Sequence, residues 1–128
     1  MMEFLIGLLN SYVFITMAYI PELLATEEAL ASAYDLSNGK TVFTSIDISD
    51  YNRINLQFSY ANVSGENVFV VEQSNDNISW LAISESHDLA NGTGTFAIDK
   101  SEFTAKYVRV CLDTATAGTL TINLIAKR

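Results

Sequence analysis

The side chains most often used in catalysis are scarce in this chain, which has one histidine, His87, and one cysteine, Cys111. Asp88 directly follows His87, but no nucleophile stands at a spacing that would complete a Ser-His-Asp or Cys-His set. We therefore interpret His87 as a solvated loop residue. A lone cysteine excludes an internal disulfide, and we expect Cys111 to be a partly covered thiol in a strand. The sequence predicts no catalytic residues and no enzyme activity.

Four acidic residues in the second half of the chain fall in predicted loops or at strand ends without metal-ligand spacing: Glu85, Asp88, Asp99 and Glu102. No acidic loop of the EF-hand type is present. Asp47 and Asp50 are compatible with a weak calcium site, but ordinary surface carboxylates explain them equally well. No metal ion and no other cofactor is predicted.

A polar turn that ends in a tryptophan follows a valine-rich run, and its residues are Ser74, Asn75, Asp76 and Asn77, with Trp80 three positions on. Asn and Asp favour turns because they tolerate positive φ and hydrogen-bond their own backbone. We expect Trp80 to pack at the sandwich edge rather than to form a binding platform. A second segment contains Tyr107, Val108 and Arg109, and Arg109 is expected to pair with an acidic residue across strands. Both segments are predicted to be mainly structural.

Strands must position these segments, because after Gly39 the apolar residues recur with a period of two. Ile54, Leu56, Phe58 and Tyr60 alternate with polar residues, as in a half-buried strand. The apolar residues of a terminal hairpin are expected to face the core; they are Val108, Val110, Leu112, Leu120, Ile122 and Leu124. About seven or eight short strands at roughly ten-residue spacing predict an all-β protein, an antiparallel β-sandwich of the jelly-roll kind.

The chain begins with a segment, residues 4–20, that is almost wholly apolar. Three interpretations stay open: an assembly segment buried against a partner or an extension upstream of a start at Met17, a membrane anchor, and a cleaved signal. An apolar patch of this size needs cover, so burial in a neighbouring subunit is the first of them. The residues assigned to this assembly arm are Phe4, Leu5, Ile6, Leu8, Leu9, Val13, Phe14, Ile15, Leu23 and Leu24.

A helix is predicted over Pro21–Tyr34. Proline fits the first turn, glutamates favour the N-terminal half, and the alanines have high helix propensity. Asn38-Gly39 then forms a turn that divides the chain. The expected organisation is therefore an apolar, helical N-terminal arm over residues 1–39 and a β-sandwich domain over residues 40–128.

The net charge of the chain indicates which classes of binding partner are disfavoured. The formal net charge is −8 at pH 7, and the isoelectric point lies near 4.3. Such a surface repels phosphate backbones, so no nucleic-acid partner is predicted.

The Ser-Asn-Asp-Asn-x-Ser-Trp turn, followed some thirty residues on by Lys-Tyr-Val-Arg-Val, resembles the discoidin-type, galactose-binding-like jelly-roll domains. Asn77 stands where that family usually has glycine, and Lys106 where it often has arginine. The resemblance covers residues 40–128 and implies a jelly roll. Carbohydrate-binding members of the family carry extra N-terminal loops for which this chain has little room. The compact layout is similar to small proteins encoded among bacteriophage virion genes.

This layout predicts a non-enzymatic virion structural protein of a bacteriophage type, located in a capsid decoration, head fibre or tail. Its expected partners are other virion proteins and copies of itself in a homo-oligomer, for which a trimer is a natural form. The alternative is a carbohydrate-binding adhesion module at a cell surface, with membrane contact through residues 4–20. Its sugar site is expected in the loops Ser84–Asn91 or Thr114–Gly118.

Overall fold

The computed structural model describes residues 25–83 and 85–128. Its strands are β1 (Ala25–Asp35), β2 (Thr41–Val42), β3 (Ile46–Asp47), β4 (Arg53–Ser64), β5 (Val68–Ser74), β6 (Leu81–Ala82), β7 (His87–Asp88), β8 (Gly92–Lys100), β9 (Tyr107–Thr114) and β10 (Ala117–Lys127). A 3₁₀ turn, Leu36–Asn38, follows β1. It is the one helical element in these two ranges, and no described helix is long and apolar enough to cross a membrane.

Two antiparallel sheets form the sandwich, which confirms the predicted fold. Sheet A has the order β1-β10-β4-β8. In sheet B, β9 and β5 are central, β2 and β3 share the outer side of β9, and β6 and β7 share the outer side of β5. Since each of these pairs occupies one position, the ten strands fill eight positions, which agrees with the predicted number.

The core lies between the sheets and is built from the alternating residues of the long strands. Leu120, Ile122 and Leu124 of β10 are fully buried, as the alternation predicted. Phe58 of β4 stacks on Phe69 of β5, with ring centroids 4.4 Å apart, and also on Phe96 of β8, at 4.8 Å. Large buried aromatic rings contribute strongly to stability, so this stack ties β8 to the centre of both sheets.

The helix predicted over Pro21–Tyr34 is wrong for the residues that the structure describes, because Ala25–Asp35 is the edge strand β1. It pairs with β10 from Ala25–Lys127 to Asp35–Thr119, and the register shifts twice along the way. Helix propensity is worth only tenths of a kcal/mol per residue, and tertiary context overrides it. Here the open side of β10 offers backbone hydrogen bonds along most of the segment, although the ladder is interrupted at the two register shifts.

The rest of the N-terminal prediction lies outside the described residues. This includes Pro21 and every residue assigned to the assembly arm, from Phe4 to Leu24. The division of the chain near residue 39 stays a prediction, although residues 25–35 are hydrogen-bonded into sheet A.

A glycine allows the β9–β10 hairpin to pass close to β4. Gly118 has φ +117°, and a Cβ atom there would lie 2.8 Å from Cα of Val63 and 2.9 Å from the carbonyl oxygen of Ala61. Both atoms belong to backbone that cannot move aside independently. Only glycine fits this position.

The strand registers define two ends of the sandwich. At one end, which we call the motif end, lie Ala25, Ser74, Tyr107 and Lys127. At the opposite end lie Asp35, Val68, Thr114 and Thr119. The described chain therefore begins and finishes at the end that also carries the polar turn after β5.

Candidate functional site

The side chains of Ser74 and Asp76 hold the polar turn after β5, because they accept hydrogen bonds from its backbone N–H groups. The buried Oγ of Ser74 accepts from the backbone N–H of Asp76 and Asn77 and donates to Oδ1 of Asp76 at 2.9 Å. The same Oδ1 accepts from the N–H of Ile78 at 2.9 Å and of Ser79 at 2.8 Å. These bonds fix the turn and position Trp80.

These bonds also set the protonation of Asp76. Hydrogen bonds from the N–H groups of Ser79 and Ile78, and then from Ser74, hold the pKa of the Asp76 carboxyl below its usual value. Because the folded pKa is lowered, the contribution of Asp76 to stability is present above its unfolded pKa. It is lost as the pH falls through the folded value.

Asn77 occupies the left-handed region, with φ 61°, a conformation that glycine adopts most readily. Asparagine tolerates this conformation better than other non-glycine residues. Its Oδ1 also accepts from Oγ of Ser45 at 2.9 Å, which links the turn to the segment between β2 and β3.

The second motif segment lies beside the first because β5 and β9 are neighbours. Tyr107 is opposite Ser74, Val108 is opposite Gln73, and Arg109 is opposite Glu72. Val108 points into the core and is fully buried, whereas Arg109 lies on the outer face. The fold thus brings together residues that are far apart in sequence.

A row of four side chains crosses the outer face of sheet B: Trp80, Arg109, Glu72 and Cys111. The Arg109 guanidinium lies 4.1 Å from the centre of the Trp80 ring, a cation–π contact. Arg109 Nε and Cys111 Sγ both donate to Oε1 of Glu72, at 2.8 Å and 3.0 Å. Glu72 is therefore the acidic partner expected for Arg109, and Trp80 packs on that pair.

Burial raises the pKa of the Cys111 thiol to about 11, and its hydrogen bond to the Glu72 carboxylate acts in the same direction. Partial burial also works to raise the pKa of Glu72. The hydrogen bonds from Cys111 and Arg109 outweigh it, so that pKa is lowered. A thiol so hard to ionise is a poor nucleophile.

A shallow depression of about 340 Å³ lies against the turn, lined among others by Gln73, Asn75, Asp76, Trp80 and Leu81. Close by, two large apolar side chains face solvent: Ile78 is 80% exposed and Leu81 is 70% exposed. The depression combines an aromatic ring with amide and carboxylate groups. It is an open surface that suits contact with another molecule and does not enclose a ligand.

The two loops named for a sugar site meet at the opposite end around Asn67, a residue that the sequence did not indicate. Asn67 is 1% exposed. Its Oδ1 accepts from the N–H of Thr116 at 2.7 Å, and its carbonyl accepts from the N–H of Leu89 at 2.9 Å. Its Nδ2 donates to the carbonyl of Ser64 at 3.0 Å. Asn67 thus acts as a structural tie between the loops.

The remaining chemically interesting residues are dispersed. His87 was predicted to lie in a loop, but it lies in β7. There its ring stacks on that of Phe69, with centroids 5.2 Å apart. Asp47 accepts from the N–H and Oγ of Ser49 in a local turn. Within residues 25–83 and 85–128, no group of three or more metal-ligating side chains comes together.

No protein-family model matches the chain, and no curated protein matches it in sequence. The discoidin-type resemblance therefore stays a prediction. Solved structures do match. The SPBc2 prophage-derived protein YomS matches with a TM-score of 0.58 and 10% identity, over 82% of this chain and 96% of that one.

Two further solved structures also match the chain. The PBSX exported protein XepA matches with a TM-score of 0.52 and 14% identity, over 83% of this chain but 37% of that one. A chain of the Bacillus endospore appendages, which form a family of disulfide-linked pili, matches with a TM-score of 0.50 and 11% identity, over 80% of this chain and 87% of that one. At these identities the likeness establishes a shared β-sandwich fold.

Proposed function

We propose that this chain is a non-enzymatic structural protein of a bacteriophage particle, which works by assembling with copies of itself and with other particle proteins. The observation that carries the proposal is the match to a prophage-derived protein over 82% of this chain and 96% of that one. The chain from the Bacillus endospore appendages, which has the same fold, gives weaker support, because those appendages are pili and a pilus is an assembly.

The arrangement of the motif end supports the proposed mechanism. Ala25, the first described residue, lies at this end, and so do the exposed apolar side chains of Ile78 and Leu81, which are open to a neighbouring molecule. Burying several Leu, Ile and Phe side chains against a neighbour stabilises an assembly by roughly 1.5–3 kcal/mol each. The sandwich meanwhile keeps a polar surface toward solvent.

The test is the mass of the native chain in solution without detergent, compared with Leu8→Asp/Leu9→Asp and with a form beginning at Met17. The proposal expects a discrete oligomer that both changes dissociate or reduce in size. Asn62→Asp, an isosteric change at an exposed position of β4 near the opposite end, is the matched control and leaves the mass unchanged. An arm whose disruption leaves the oligomer intact contradicts the mechanism.

The second candidate function is carbohydrate binding, and the depression at the motif end favours it. An aromatic ring beside amide and carboxylate groups is suited to a sugar, and this place differs from the two loops expected from the sequence. A glycan array with the native chain and Trp80→Ala tests it. Saturable binding that Trp80→Ala abolishes supports this function, and an array without binding removes it.

A further inference from the structure

The four edges of the sandwich differ in how well they are protected against pairing with another strand. In sheet B both edges consist of two-residue strands, β2 and β3 on one side and β6 and β7 on the other. Very short strands are a common protection of a sheet edge. In sheet A, the β1 edge has two register shifts, positive φ at Ala33 (51°), and the acidic pair Glu27 and Glu28.

Strand β8 is longer than the edge strands of sheet B and less irregular than β1, because its one register shift against β4 and its one positive φ, at Gly92, both lie at its N-terminal end. Seven of its nine residues pair with β4 in one continuous register, from Ile54–Lys100 to Tyr60–Gly94. It contains no proline, and its charges are confined to Asp99 and Lys100 at one end. Within residues 25–83 and 85–128, no strand pairs with its other side. A long edge strand with open N–H and C=O groups is a template for another strand.

The sequence of β8 suits an antiparallel copy of itself. If a two-fold axis at Phe96 relates two copies of the chain, every residue of β8 has a partner in the other copy. Gly94 then lies opposite Ile98, so the inward-facing side chains of both copies stay on the same face of the joined sheet. In this register Asp99 faces Thr93 and Lys100 faces Gly92, so no like charges meet. An axis at Asp99 would instead bring two carboxylates together.

The electrostatics of the surrounding surface allow two acidic chains to approach here. Although the formal net charge is −8, strands β4 and β10 contain no acidic residue, and the carboxylate of Asp99 accepts a hydrogen bond from Asn55 at 3.3 Å. The half-buried rings of Phe96, one from each copy, would meet at the axis and lose solvent contact.

We infer that β8 is an interaction surface for a second copy of this chain, which pairs with it antiparallel about Phe96 and joins the two A sheets into one continuous sheet. This contact is isologous, as in most homodimers. It does not depend on the N-terminal arm, so either contact can exist without the other.

Charge variants of the full chain test this register. Thr95 of one copy faces Ala97 of the other, so Thr95→Lys/Ala97→Lys creates two Lys–Lys pairs and is expected to weaken the dimer by roughly tenfold. The same variant makes the chain less acidic, so a general charge effect would strengthen association. Thr95→Glu/Ala97→Lys creates two Glu–Lys pairs at unchanged net charge and should restore the native dissociation constant. Sedimentation equilibrium over a concentration series measures all three proteins.

Cysteine pairs in the full chain give an independent result. Thr95→Cys/Ala97→Cys should form a covalent dimer under mild oxidation, because facing residues of paired strands come within reach of a disulfide. The matched control, Glu27→Cys/Ala29→Cys on the β1 edge, should stay monomeric on a denaturing gel. The same β8 cross-link in a Leu8→Asp/Leu9→Asp background separates this contact from the arm. No covalent β8 dimer, or equal association of the two charge variants, overturns the inference.

Discussion

The two edges of sheet A, β1 and β8, show how one sheet can be closed on one side and open on the other. Strand β1 is held through small or partly buried side chains, Ala31, Leu30 and Tyr34, and its ladder is interrupted twice. Strand β8 is regular from Gly94 to Lys100, and Phe96 anchors it in the aromatic stack. Irregular pairing and acidic charge discourage further strands at β1, whereas β8 keeps a flat, weakly charged edge.

The largest change in stability is expected when the aromatic ring against which β8 packs is removed. Phe58→Ala takes away the ring on which both Phe69 and Phe96 stack. It should lower the free energy of unfolding by about 3–5 kcal/mol. Urea denaturation followed by fluorescence measures this loss. Ala31→Gly on β1 is the control and should cost about 1 kcal/mol or less. A loss at Phe58 no larger than that at Ala31 would mean that the aromatic stack, which includes Phe96 of β8, contributes little to stability.

Thiols should react at different rates on the open β8 edge of sheet A and on the outer face of sheet B, where Cys111 is buried. With its pKa raised from 9.0 to about 11, Cys111 should have roughly a hundredfold smaller thiolate fraction at pH 8 than an ordinary cysteine. Iodoacetamide should therefore modify Cys111 very slowly, whereas an introduced Ala97→Cys on β8 reacts readily in the monomer. Intact-mass spectrometry over time distinguishes the two sites.

The same shift makes stability depend on pH. Because the folded thiol holds its proton more tightly than the unfolded one, its contribution is fully present below pH 9 and is lost as the pH rises through about 11. Cys111→Ala should flatten the stability curve in this alkaline range. A curve that is identical with and without Cys111 would contradict the buried position of the thiol.

Hydrogen exchange compares the two edges directly. If β8 pairs with a second copy, its outward amides should exchange roughly tenfold more slowly at high than at low protein concentration. The outward amides of β1 should show no such dependence. Exchange followed by mass spectrometry resolves both strands, and equal behaviour of the two edges would count against pairing at β8.

The smallest expected effect concerns the irregularity of β1. Ala33 adopts φ 51°, which is unfavourable for alanine and natural for glycine. Ala33→Gly should therefore stabilise the fold slightly, by about 0.5 kcal/mol, after the greater flexibility of glycine in the unfolded chain is included. Thermal unfolding measures the shift. Ser32→Gly, one residue earlier, is the matched control because it introduces glycine where φ is not positive, and it should destabilise the fold. Equal shifts for the two variants would contradict strain at Ala33.

Much of the fold was predictable because alternation records which face of a strand is buried. Ile54, Leu56, Ile122 and Leu124 appear in the core as expected. The misassigned segment, Ala25–Asp35, shows the limit of this reasoning. Its alanines and glutamates favour a helix locally, while the ladder with β10 depends on residues near the other end of the chain.

The candidate site was predictable only in part, for the same reason. The turn chemistry of Asp76 and Asn77 is local, and the sequence indicated it. The row from Trp80 through Arg109 to Glu72 depends on the register of β5 with β9, and the opening at β8 depends on the order of sheet A. Neither the register nor the order can be derived from alternation alone.

The most direct test of assembly as the function of this chain is the mass of the native full-length protein, measured by light scattering after size exclusion without detergent. If the chain assembles through its N-terminal arm, the native protein forms a discrete oligomer, and Leu8→Asp/Leu9→Asp makes that oligomer smaller. A protein that stays monomeric over the whole measurable concentration range would contradict assembly and leave glycan binding as the function to pursue.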